Sequence, residues 1–221
     1  MTTRWRSIAL GSAILAVLPA ATPAAAGPEP AVALDGLQGW LDGTRDLECR
    51  FEQTLVSGTF GAGIRELGRL YLKRPGKMRW EYTRPDPKVA ILSDGVASLY
   101  LPEDRQLIRG DAAWNSSPLL LLLGGQGRLA DVFEVDPSPA VDPGGQGTYR
   151  LRLTPRDRDQ GFEEVTVTLA APEFSISEAE VLDDAGNRML YQFRSLRRNQ
   201  GISDERFILQ PPPGTEILGP S

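Results

Sequence analysis

From residue 47 onward the chain is a succession of short segments in which apolar and polar positions alternate. Between residues 77 and 83, Met78, Trp80 and Tyr82 fall on one side of an extended backbone and Lys77, Arg79 and Glu81 on the other. The same parity separates Tyr149, Leu151 and Leu153 from Arg150 and Arg152, Val165, Val167 and Leu169 from Thr166 and Thr168, and Met189, Tyr191 and Phe193 from Arg188, Gln192 and Arg194. This pattern predicts eleven strands, over 47–56, 66–73, 77–83, 88–93, 97–101, 106–109, 133–136, 148–154, 163–170, 175–183 and 188–196. Pro75-Gly76, Asp94-Gly95, Pro102-Glu103-Asp104 and Asp184-Ala185-Gly186-Asn187 supply turn chemistry between them. Strands covered on both faces read as continuous apolar runs, and these do not. The expectation is one large, curved antiparallel sheet, mainly β overall, with an apolar concave side and a wet convex side.

Two stretches break the alternation with helical spacing. Residues 32–45 carry Val32, Leu34, Leu37, Trp40 and Leu41 at intervals of a helix turn. Ser116-Ser117-Pro118 is a helix start, a Ser cap followed by Pro near the first helical position. Leu119, Leu120, Leu121, Leu122 and Leu123 follow, ended by Gly124-Gly125. Five leucines are apolar right round a helix, so this segment is either buried core or a lid over something greasy, and periodicity does not choose. Residues 137–147 are rich in Pro and Gly and read as a loop. No internal repeat is visible.

Residues 1–26 have the form of a secretory signal: Arg4 and Arg6, then an apolar stretch, then Ala24-Ala25-Ala26 at the cleavage position. The stretch is short for a membrane span. Gly27 is the expected first residue of a soluble exported chain, and the absence of Cys there removes a lipidation site. Residues 27–221 are then a single domain, expected as a monomer. Cleavage takes away two arginines and no acidic group, moving the formal charge from −5 to −7. An acidic chain is a poor partner for nucleic acid or an anionic membrane. There is no His, and Cys49 is the single cysteine. Ser-His and Cys-His nucleophilic sites are thereby excluded, and the carboxylates form no dyad of the kind acid/base chemistry needs. No catalytic residue, metal site or cofactor is expected. Arg74, at a strand end before Pro75-Gly76, reads either as a solvated charge or as a donor at the rim of an apolar cavity.

Several of these pieces stand in a familiar order. Phe51-Glu52-Gln53, Gly68-Arg69-Leu70-Tyr71-Leu72-Lys73-Arg74-Pro75, Arg79-Trp80-Glu81-Tyr82, Pro85, Asp94-Gly95, Tyr100, and Phe207 with Pro212-Pro213-Gly214-Thr215-Glu216 together resemble the periplasmic outer-membrane lipoprotein carrier family. The resemblance covers nearly the whole exported chain. It implies an open half-barrel with helices over its mouth and a cavity that accepts lipoprotein acyl chains. Phe51, Leu70, Leu72, Met78, Trp80, Tyr82 and Tyr100 are the expected cavity residues. Arg74, Pro118 and the five leucines are the expected gate, with Arg74 holding the lid. Two departures, Met78 where many members carry Phe and the leucine-rich lid, bear on lipid preference. The partners implied are acylated lipoproteins, an inner-membrane lipoprotein-releasing ABC transporter and an outer-membrane receptor. A carrier or sensor of another lipid on the same fold, or a periplasmic hydrolase, are the alternatives.

Overall fold

Alternating strands leave each segment with one face to bury, and most of them bury it on the same side of one sheet. The computed structural model describes residues 30–59, 61, 63–111, 118–124, 127–136 and 147–219. The strands are β1 (Asp46–Val56), β2 (Gly63–Lys73), β3 (Lys77–Arg84), β4 (Lys88–Ser93), β5 (Val96–Leu101), β6 (Gln106–Asp111), β7 (Phe133–Val135), β8 (Thr148–Pro155), β9 (Phe162–Ala170), β10 (Ser175–Asp183), β11 (Arg188–Arg198) and β12 (Glu216–Leu218). They lie in the order β12-β6-β5-β4-β3-β2-β1-β11-β10-β9-β8-β7. The sheet is open, and the two ends of its meander meet through the β1–β11 pair. All eleven expected strands are present within a few residues of their expected ends.

The sheet curls strongly. Three strand steps separate β3 from β11, about 14 Å on a flat sheet. Yet the Trp80 and Tyr191 rings on these strands are 5.6 Å apart. A single apolar cluster fills the concavity, running from Leu92 and Ala97 through Leu70, Phe51 and Phe193 to Leu151, Val167 and Phe133. Helix α1 (Pro30–Asp42) packs over β8 and β10. Leu37, Trp40 and Leu41 are buried as their spacing predicts, Leu34 is half-buried, and Val32 points outward. An ideal Cβ on Gly36 would lie 2.4 Å from the Phe174 ring, so the absence of a side chain there lets α1 approach the β9–β10 turn. A single π-helical turn, Leu120–Gly124, covers β2 and β3, and the short α2 (Leu129–Val132) leads into β7.

Three expectations change. Helix α1 ends at Asp42, short of Arg45, because Thr44 turns its hydroxyl back to the Trp40 carbonyl at 2.7 Å. A twelfth strand, β12, pairs parallel to β6. The convex side is not uniformly wet: Tyr71, Ile91 and Phe207 form a second buried cluster, flanked by Val89, Ile202 and Leu209. The segment after β11 is the strap that dries this patch. Asp46 anchors it by accepting from the backbone N–H groups of Gln200 at 2.7 Å and Gly201 at 3.0 Å. The expected signal at 1–26, the first exported residue Gly27, and Ser116, Ser117 and Gly125 lie outside the described residues.

Candidate functional site

The floor of the concavity is set by strand register. Leu70 stands opposite Trp80, Leu72 opposite Met78, and Phe51 between Gly68 and Phe193. The Phe51 ring meets Trp80 edge-on at 4.7 Å and Tyr82 at 5.1 Å. Gly68 makes this possible. A Cβ there would stand 2.6 Å from the Phe51 ring and 2.2 Å from the Glu81 carbonyl. The bare backbone admits the ring, and β2 carries a register shift at Leu67 and Gly68. Phe51, Leu70, Leu72 and Met78 are buried, while Trp80 and Tyr82 are half-buried in the same cluster.

Tyr100 does not join them. The Asp94-Gly95 turn pairs Ser93 with Val96, which sets Leu99 against Ala90 and Tyr100 against Val89. Ala90 pairs with Trp80, so Leu99 shares the concave face and Tyr100 lies on the convex one. Parity along β5 decides this.

The leucines pack against that floor. Leu119, Leu122 and Leu123 are almost completely buried, and Pro118, Leu120 and Leu121 are half-buried. Pro118 and Leu119 begin the turn in α-helical geometry before it widens into the π turn. Gly124 sits against Leu72, and its carbonyl accepts from the Gly76 N–H at 3.3 Å, tying the turn to the β2–β3 hairpin.

Arg74 donates to the carbonyl of Leu41, at the C-terminus of α1. Arg198 donates to the Trp40 carbonyl at 3.0 Å and stacks over the Trp40 ring, and Asn199 donates to the Gly43 carbonyl at 2.9 Å. The Trp40 and Leu41 carbonyls in the last turn of α1 are therefore held by two cations, the arrangement the helix dipole favours, and the Gly43 carbonyl just beyond it by an amide. This hydrogen bond ties Arg74 to α1, and the leucine turn is reached through the backbone of the same hairpin.

Sequence reasoning missed a polar group on the concave face. Glu66 and Lys88 pair at 2.5 Å, Gln53 donates to Glu66 at 3.3 Å, and the Tyr82 hydroxyl donates to Gln53 at 3.1 Å. Burial, then the Glu66 charge, lifts the Tyr82 phenol well above its ordinary range. Burial does the same to Tyr191, with Tyr82 and Glu66 adding to it. Both phenols stay neutral donors. Gln53 and Tyr82 had a signal in the sequence, as parts of Phe51-Glu52-Gln53 and Arg79-Trp80-Glu81-Tyr82; Glu66 and Lys88 had none.

A curled sheet whose apolar concavity is stoppered by its own helices defines a binding protein for an apolar ligand. Residues 42–210 match the family described as outer membrane lipoprotein carrier protein LolA, and the chain belongs to that family of carriers, which bind and do not catalyse. It is 30% identical over 199 residues to the outer-membrane lipoprotein carrier protein of Chromobacterium violaceum, covering 87% of this chain and 90% of that one. It is 27% identical over 189 residues to that of Dechloromonas aromatica, covering 85% and 88%. The fold also matches an uncharacterized conserved protein from Thermus thermophilus with a TM-score of 0.52 at 12% identity, over 85% of this chain and 97% of that one.

Proposed function

We propose that the chain is a periplasmic carrier that takes lipoprotein acyl chains into its concavity and passes them to an outer-membrane receptor. The observation that carries this reading is the leucine turn packed onto the aromatic floor, an apolar plug in the place an apolar ligand would fill. Each buried methylene is worth about 0.8 kcal/mol, so three acyl chains hold a lipoprotein in a bilayer against diffusion through water. A carrier must replace that environment without binding so tightly that release fails. Withdrawing three buried leucines costs roughly 1.5–3 kcal/mol each, which offsets the burial of about six to eleven ligand methylenes. Loading then needs an energised inner-membrane transporter, and release runs downhill to the receptor.

Export follows from the signal at 1–26, with cleavage before Gly27. Native mass spectrometry of the protein purified from the periplasm tests both points. The expected spectrum shows a chain beginning at Gly27, unmodified itself, with acylated protein or peptide bound noncovalently. A covalent diacylglycerol increment, or no acyl material after co-expression with a lipoprotein and its transporter, overturns the reading.

A further inference from the structure

The concave face of an acyl carrier has no evident need for an ion pair. Glu66 and Lys88 nevertheless meet there at 2.5 Å, with side chains only 13% and 28% exposed. Gln53, 7% exposed, links Glu66 to the Tyr82 hydroxyl. The Lys88 ammonium stands 4.5 Å from the centre of the Tyr82 ring. Replacing a half-buried pair by well-packed apolar side chains is often neutral or stabilising, so folding does not account for it.

Its position and donor count are informative. Along β1 the concave row runs from Phe51 through Gln53 to Leu55, and Leu55 pairs with Ile64 and Met189. Ile64 is 59% exposed. The cluster therefore lies between the aromatic floor and the open rim, the level at which acyl chains end and a head group begins. Lys88 carries three N–H donors and Gln53 two, and each gives one to Glu66, so both retain donors for a ligand. The charges of Glu66 and Lys88 cancel. Ester and amide carbonyls require only donors. A phosphate would add a charge at a half-buried site whose one cation is already matched.

We propose that Gln53, Glu66 and Lys88 form a head-group subsite that accepts the ester and amide carbonyls of an acylated cysteine and discriminates against anionic phospholipids of the same chain length. The proposal rests on the lipoprotein-carrier reading and adds the basis of its selectivity. A carrier working beside a bilayer meets far more phospholipid than lipoprotein, and chain length alone does not separate them.

The test is displacement of N-phenyl-1-naphthylamine from the exported chain by a tripalmitoyl-cysteinyl peptide and by dipalmitoyl phosphatidylglycerol. The native protein should favour the peptide. Glu66→Gln keeps the shape but leaves Lys88 unmatched, and should shift the affinity ratio toward phosphatidylglycerol by about tenfold or more. Adding Lys88→Gln restores neutrality and should return the ratio toward the native value, which a general loosening of the fold would not do. Should Glu66→Gln fail to fold, Lys88→Gln alone carries the test, since its unmatched Glu66 should push the ratio further against phosphatidylglycerol. Folded variants with the native ratio overturn the subsite. A native chain from which neither lipid displaces the dye overturns the carrier reading itself, a different outcome.

Discussion

Cys49 lies on the concave face of β1 between Leu47 and Phe51, 2% exposed. Burial, with the neighbouring Glu48 charge adding to it, pushes its thiol up to about 12. At neutral pH almost no thiolate forms and no reagent has access, so the residue packs as a small hydrophobe. A maleimide should leave the native protein unmodified and label it fully in denaturant; rapid native labelling would show that the floor opens far more freely than this packing allows. Trp80 is half-buried against Phe51, Tyr82 and Tyr191. Trp80→Ala should weaken acyl-probe binding by about tenfold, since most of an aromatic side chain's contact area is lost. Unchanged titrations in a folded variant would remove Trp80 from the binding surface. Met78, Trp80 and Tyr82 can be placed from their alternation with charged neighbours. Tyr100 cannot, because its face depends on the two-residue turn that sets the β4–β5 register, and the motif that contains it carries no parity of its own. Glu66 and Lys88 are equally illegible. Each reads as an ordinary strand charge until β1, β2 and β4 bring it beside Gln53 and Tyr82.

At the level of elements, strands with one-sided burial announce themselves and those without it do not. β12 has three exposed residues and no alternation against a core, so nothing in Glu216-Ile217-Leu218 distinguishes it from a tail until β6 offers an edge. Five consecutive leucines fix burial but no phase, so the sequence pattern does not distinguish a π turn from an α-helical one. One partner of Arg74 is a backbone carbonyl thirty-three residues earlier, a separation that spacing cannot reveal. Because Arg74 clamps α1, Arg74→Leu should release the helix end and cost about 1.5–3 kcal/mol in urea unfolding, the range for a hydrogen bond to a charged group. Acyl uptake should speed up while transfer onward is impaired; unchanged stability and uptake would make Arg74 a bystander. The convex strap has its own fastening, Asp204 between Lys73 at 2.9 Å and Lys77 at 3.3 Å. Hydrogen bonds from Lys73, then Lys77, hold its carboxyl below the ordinary value of 3.8. A depressed folded value means the fastening is complete above that pH and is lost as the pH falls through the lower one. Amide exchange in residues 199–215 should accelerate relative to the sheet on acidification through this window. Asp204→Asn should lack that step, and an identical acid profile in the variant would assign the strap's stability elsewhere.

At the scale of the whole molecule, α1 and the leucine turn divide the concavity between them, one over β8 and β10 and the other over β2 and β3. Both are tethered to the β2–β3 hairpin, α1 through Arg74 and the turn through Gly76. A ligand that lifts the turn therefore strains the same hairpin that holds the helix, and loading and release become one linked transition instead of two independent openings. Affinity is set by the difference between ligand burial and plug burial, so a plug that cannot leave should abolish binding even though every floor residue is intact. Cysteines at Leu72 and Gly124 place the tether where the turn touches β2, with Gly124's ideal Cβ 3.7 Å from the tip of Leu72. Bridged in denaturant by a short bifunctional reagent, in a Cys49→Ser background, and refolded, the protein should fail to take up an acylated peptide. The same variant refolded unbridged should take it up, which separates the effect of locking from that of substitution. If the bridged protein loads as well as the unbridged one, the leucine turn is permanent core, and acyl chains must enter by another face of the half-barrel.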